Sequence, residues 1–177
     1  MVLILTLGNQ AVFMATNIIT KRLLSVIFFH IISNMKVVLD TDVLVAGFRS
    51  PTGASRQLLI LLNEDKFEAL ASVTLVIEYE AVLKRPENLI AAGLNEADID
   101  KFINALVLKI KPVKTFYLWR PMLKDPDDEF VLEVAVNGQA DAIVTFNSKD
   151  FAVGAKRFGL EILKPAEMLR RLKLWRI

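Results

Sequence analysis

The chain contains no cysteine. That excludes disulfides, thiolate nucleophiles and cysteine-bound zinc, and it fits a reducing compartment, so the expected location is cytoplasmic. Histidine is almost as scarce. His30 stands alone in an apolar stretch and reads as incidental. A single histidine rules out a His-rich metal site and offers no Ser-His pair. Nor is there an excess of one charge: 22 basic residues meet 20 acidic ones, for a net charge of +2. The basic surplus that marks many nucleic-acid binders is therefore missing. If the chain is an enzyme, carboxylates must carry its chemistry.

A long hydrophobic run is also absent. Leu23–Ile32, "LLSVIFFHII", is ten residues, where a spanning helix needs about twenty. No small-residue cleavage site follows it, as a signal peptide would require. No membrane association is expected. Residues 1–34 can be an interfacial anchor, an extra packed helix, or upstream sequence translated ahead of a start at Met35. The last fits best, because a compact domain can begin directly at "MKVVLD".

What is present suits one domain. The chain has 177 residues, 54% of them hydrophobic, enough for a single core. From Met35 onward apolar strand-like runs alternate with helical patterns, which points to an α/β fold with a mainly parallel sheet. Strands are expected at Val37–Leu39, Phe67–Ser72, Val107–Val113, Ala142–Thr145 and Leu160–Leu163. Ser50–Gly53 reads as a turn, with a helix starting near Ser55. A helix through "TLVIEYEAVLKRP" should stop at Pro86, and another should run from Asn95 to Ala105. "DPDDEFVLEVAVNGQ" has Asp125 suited to the N-cap, Pro126 to the first turn and Gly138 to the exit. "PAEMLRRLKLW" forms a closing helix, whose end "RRLKLWRI" can meet RNA, a partner or its own core through Leu172, Leu174 and Trp175.

Ligands in open parallel sheets sit beyond the carboxyl ends of the strands. Topology then gathers Asp40, Asp125–Asp128 and the turn Asn147–Asp150 on one rim, with Asp141 on the opposite one. Asp42 either follows Asp40 in extended chain or flanks the site on a chain that has already turned. Helical phase sets Glu129, Glu133 and Asn137 on one stripe, expected to face solvent. Asp128 falls instead with Val131, Leu132 and Ala135, on the side toward the sheet. Phase does not choose between Glu78 and Glu80, which flank the apolar stripe Leu75, Tyr79 and Val82. Carboxylates converging from separate elements repel unless a cation joins them. Oxygen-only ligands favour Mg²⁺ or Mn²⁺.

Residues 35 to about 168 resemble a PIN domain, in the branch of toxin components of bacterial and archaeal type II toxin–antitoxin pairs. Four stretches carry the likeness in order: "VVLDTDVLVAGFRSPTG", "EYEAVLKRP", "DPDDEFVLEVA" and "ADAIVTFNSKDF". The resemblance implies a three-layer α/β/α sandwich over 35–177 and a VapC-like, Mg²⁺- or Mn²⁺-dependent endoribonuclease. It also implies an RNA substrate, a cognate antitoxin and a homodimer. Position by position it makes Asp40, Glu78 rather than Glu80, and Asp128 the metal-holding catalytic acids. Asp42, where the family often has Asn, is supporting, as are Asp125, Thr145, Asn147 and Asp150. Asn147 stands where stricter members carry Asp, which puts a second metal in question; Asp150 is near enough to substitute. Arg49, Arg56 and Lys149, with Lys84 and Arg85, are candidates for holding the RNA backbone.

Two other classes fit parts of the chain. "VVLDTDVL" conforms to the motif of a haloacid-dehalogenase-like phosphohydrolase with Asp40 as nucleophile, although no suitably placed Lys precedes a strand-terminal acidic pair. A PIN-like module without activity, binding RNA or a partner, is the third reading, with Asn147 as its hint. If Met35 is the start, intact mass of the protein from its natural source will correspond to residues 35–177; a mass that includes residues 1–34 refutes that reading.

Overall fold

The computed structural model describes residues 35–173. The expectations for residues 1–34, and for Leu174 and Trp175, lie outside the described residues. Five strands, β1 Lys36–Leu39, β2 Glu68–Ala71, β3 Ile110–Pro112, β4 Ala142–Val144 and β5 Glu161–Leu163, form one sheet in the order β3-β2-β1-β4-β5. Every pairing is parallel, with Val37 opposite both Ala69 and Ala142, Leu70 opposite Lys111, and Ile143 opposite Ile162. Val37, Val38, Ile143 and Val144 are completely buried, as central parallel strands covered on both faces must be. The edge strand β3 is short, exposed and ends in Pro112, features that discourage further pairing.

Eight described helices complete the chain: α1 Thr41–Arg49, α2 Ala54–Asn63, α3 Val73–Leu83, α4 Pro86–Ala92, α5 Glu96–Lys109, α6 Pro126–Asn137, α7 Ser148–Phe158 and α8 Pro165–Lys173. From β1 the chain steps to β2 and β3, then returns across the sheet to β4 and β5. Right-handed crossovers therefore place α1–α5 on one face and α6–α7 on the other. Packing agrees: α2 lies on α1 and α8, while α6 covers β1, β2 and β4 and carries α7. The result is a three-layer α/β/α sandwich.

Local signals account for the helix starts. Ser72 accepts from the Leu75 N–H at 3.2 Å, and Asn95 with Asp98 forms a capping box. Asp125 accepts from the Asp127 N–H at 3.0 Å. Three expectations are corrected. Pro86 does stop α3, but it also opens a further helix, α4, at its first position. The stretch Val107–Val113 is strand only from Ile110, because α5 continues to Lys109. Its leading residues, Val107 and Leu108, are exposed apolar positions of that helix.

The third correction is the largest. Glu129 and Glu133 do not face solvent; each is only 2% exposed. The segment 114–124, between β3 and α6, runs back along the outer face of α6 and covers them. The Asn137 amide oxygen accepts from the Phe116 and Tyr117 N–H groups, each at 3.1 Å. Glu133 takes a two-pronged bond from Arg120 at 2.7 and 3.0 Å. Glu129 Oε1 accepts from the Met122 and Leu123 N–H groups at 2.5 and 2.8 Å. A polar stripe at spacing four reads identically whether water or a covering strand of chain supplies the donors. Removing the Glu129 acceptor strands two sheltered N–H groups, each worth about 1–3 kcal/mol. Glu129→Ala is expected to lower stability by about 2–4 kcal/mol in urea unfolding; a loss under half a kcal/mol would contradict the strap's anchoring.

Candidate active site

The site is built where the strand order reverses, between β1 and β4, which is the usual ligand position of such sheets. Asp40 follows the last residue of β1, and its N–H donates to the Val144 carbonyl at 2.9 Å. The chain turns there: α1 starts at Thr41 and Asp40 is its N-cap. Asp40 Oδ1 accepts from the Thr41 N–H at 2.7 Å and Oδ2 from the Thr145 hydroxyl at 2.6 Å. Thr145 is fully buried at the end of β4, and its Oγ1 accepts from the Asn147 N–H at 2.8 Å. Asp42, in the first turn of α1, receives the Phe146 N–H on Oδ2 at 3.0 Å, while its buried Oδ1 has no partner. The open question about Asp42 thus resolves: it flanks the site on a chain that has turned.

Asp40, Asp42, Glu78, Asp127, Asp128 and Asn147 line one open cleft of about 540 Å³. Tyr79, read from sequence as part of an apolar stripe, is buried beneath it and donates its hydroxyl to the Leu39 carbonyl. That bond ties α3 to the end of β1 beside Glu78. Glu80 does not line the cleft; it pairs with Lys84 at 2.6 Å, and Lys84 also meets Asp100 at 2.5 Å. Asp125 is the N-cap of α6 and lies off the lining, as does Asp150, which accepts from the Asn147 side-chain amide. Asp141 sits at the opposite rim, accepting from the Lys36 N–H at 2.8 Å.

The electrostatics register the crowding. Burial raises Asp40 above the usual aspartate range. Burial, with the Asp40 charge added, lifts Asp42 to about 6. Asp128 rises to about 7 through burial and then the charges of Asp40, Asp125, Asp150 and Asp42. Acids from the N-termini of α1, α6 and α7 therefore share one field.

Of the candidate cations, Arg49 and Arg85 line the cleft. Lys84 is occupied as above. Lys149 is exposed on the first turn of α7, outside the lining. Arg56 is corrected: it lies in a separate groove with Leu59, Phe102 and Leu106, because α2 has carried the chain away from the rim. Asn88 lines the cleft and was not a sequence candidate; in "RPENL" it reads as an ordinary solvated position.

A family model described as PIN domain matches residues 36–149. The chain belongs to the PIN domain family. A solved structure of the same fold is the VapBC2 complex from Rickettsia felis bound to a DNA fragment from its promoter. It shares 14% identity over 73% of this chain and 98% of that one, with a TM-score of 0.50. At that identity the likeness concerns the fold alone. No curated protein sequence matches significantly. With PIN membership established, the phosphohydrolase alternative falls away. No helix among the described residues is long and apolar enough to cross a membrane.

Does this PIN site suit a divalent cation? Asp40, Glu78 and Asp128 are expected to hold one ion directly or through water; among the described residues no three His, Asp or Glu side chains stand close enough to ligate one ion directly, which leaves the water-mediated form. The donor chemistry nevertheless fits. All the candidate ligands are oxygens, Asp42 Oδ1 is buried without a partner, and the raised acids need positive charge between them. Such a set suits a hard ion that keeps several of its waters.

A pH dependence follows for the metal-free PIN domain. Asp42 and Asp128 hold protons in the folded chain between their ordinary value of 3.8 and about 6 and 7 respectively. The native state thus binds more protons than the unfolded one across that window, and stability falls as pH rises through it. With a chelator present, the melting temperature should drop from about pH 5 to about pH 8, and Asp128→Asn should flatten the drop. A wild-type melting temperature that climbs across the same interval would refute this assignment.

Proposed function

We propose that this PIN domain is a metal-dependent endoribonuclease and the toxin of a type II toxin–antitoxin pair. The observation that carries the reading is the gathering of Asp40, Glu78 and Asp128, from three separate elements, in one open cleft at the sheet's switch point. Above the pH at which these acids hold protons, a positively charged ligand makes that arrangement favourable.

Asp40, Glu78 and Asp128, with the spare oxygen of Asp42, would hold a hydrated Mg²⁺ or Mn²⁺. When bound, such an ion supplies Lewis-acid stabilisation of phosphate charge and an activated water. The chain's own groups set the geometry. Thr145 and the Thr41 N–H fix both oxygens of Asp40, so that carboxylate is preorganised. Tyr79 anchors the helix that presents Glu78. Asp42 and Asp128 would surrender their protons when a cation enters. Products with a 5′-phosphate and a 3′-hydroxyl are expected. Asn147 supplies an amide in place of a further carboxylate, which favours one ion over two; Asp150 holds that amide.

The antitoxin is proposed as a separate chain, and the toxin as a homodimer. A small DNA-binding protein in the neighbouring upstream reading frame would support the toxin role over housekeeping RNA turnover. The decisive assay is Mg²⁺-dependent cleavage of single-stranded RNA. Asp40→Asn and Asp128→Asn are each expected to lower it at least a hundredfold, about 3 kcal/mol of transition-state stabilisation. Glu78→Gln should do likewise and Glu80→Gln should cleave at nearly the wild-type rate. Equal activity of the two glutamine variants would remove Glu78 from the site, and full activity of Asp40→Asn would overturn the nuclease reading.

A further inference from the structure

The cleft also holds basic side chains. Arg49 closes α1 and Arg85 stands at the N-cap of α4, and both line the same walls as the acids. With several carboxylates lining the same cleft, an ion pair is the default expectation for Arg49. Arg49 forms none: among the described residues its guanidinium donates to the neutral Asn88 amide oxygen at 2.7 Å and to no carboxylate.

Asn88 is placed to do this and little else. It is only 8% exposed, and its Nδ2 donates to the Val82 carbonyl at 2.7 Å. That carbonyl lies in the last turn of α3 and accepts from the Arg85 N–H as well, at 3.2 Å. The Asn88 bond fixes the amide's orientation. Turning it over would set oxygen against carbonyl oxygen and nitrogen against guanidinium, two repulsive contacts. Asn88 Oδ1 therefore faces Arg49 by necessity. The guanidinium, with five N–H donors in a rigid fork, gives up part of one edge to a neutral acceptor and keeps the rest.

We infer that Asn88 is a positioning residue that holds Arg49 as a fixed anchor for a backbone phosphate of bound single-stranded RNA. This rests on the nuclease reading of the cleft and adds a subsite to it. Arg49 lies nine residues beyond Asp40, about 13 Å along the helix axis. That separation puts the phosphate it holds away from the scissile one. Arg85 lines the cleft alongside it and adds unfocused charge. An oriented fork binds phosphate through paired bonds, whereas a freely rotating cation must lose conformational freedom first.

The test is binding of a labelled RNA of roughly twelve nucleotides to the full chain carrying Asp128→Asn, with Mg²⁺ present. Arg49→Ala should weaken binding about tenfold and reduce the salt slope by about 0.7. Arg49→Lys should recover only part of the loss. Asn88→Ala should cost about threefold alone and nothing further in the Arg49→Ala background, a coupling that a purely structural asparagine would not show. Unchanged affinity of Arg49→Ala, or independent addition of the two effects, overturns the anchor. Should Asn88→Ala fail to fold, the exposed Arg49 variants decide alone. Absence of metal-dependent cleavage by the wild-type chain counts against the nuclease reading only, since the binding cycle is read without turnover.

Discussion

The hydrogen bond from Thr145 to Asp40, at 2.6 Å, joins the ends of β1 and β4. It spans 105 positions of sequence and closes the one junction where the strand order reverses. Charge would otherwise drive these buried acids apart. Thr145 offers a single proton, and the shorter contact goes to Asp40, with Asp42 at 3.4 Å. Its oxygen also receives the Asn147 N–H, so the same side chain sets the path into α7. The acidic rim thus depends on one fully buried hydroxyl. Valine there would keep the shape and lose both bonds.

A second set of buried polar contacts supports the rim from behind. Segment 114–124 is held to α6 by Glu129, Glu133 and Asn137, and the Arg120 guanidinium also stacks over the Phe130 ring at 4.4 Å. α6 is the helix whose first turn carries Asp127 and Asp128. Satisfying two glutamates on its outer face leaves the N-terminal acids free to point into the cleft. Buried carboxylates therefore play two opposite parts in this protein. Under the strap, Glu133 is paired on both oxygens and Glu129 takes two N–H groups on one of its oxygens, while the acids at the switch point lie among other acids.

That crowding gives the cleft its character. The acids raise one another's pKa and favour a cation, while Arg49 and Arg85 leave positive charge open on the same wall. A polyanion that reached the cleft with a divalent ion would find both halves complementary. Neither half alone would set this cleft apart from an ordinary charged surface. Their sharing of one cleft is what the nuclease proposal rests on.

Sequence by itself determined the fold class, the parallel sheet and the rim on which the acids fall. Strand and helix periods, the Asp125-Pro126 start and the apolar run ending at Asp40 are local signals with local causes. It also separated Asp128 from its neighbours by phase, and its likeness to PIN domains selected Glu78. Tertiary structure decided what water reaches. It buried Glu129 and Glu133 beneath a strap, brought Asp100 to Lys84, carried Arg56 to another groove, and brought Asn88 to Arg49 across 39 positions. The reason is physical: periodicity reports which side chains share a face, whereas exposure depends on whatever else the folded chain lays upon that face.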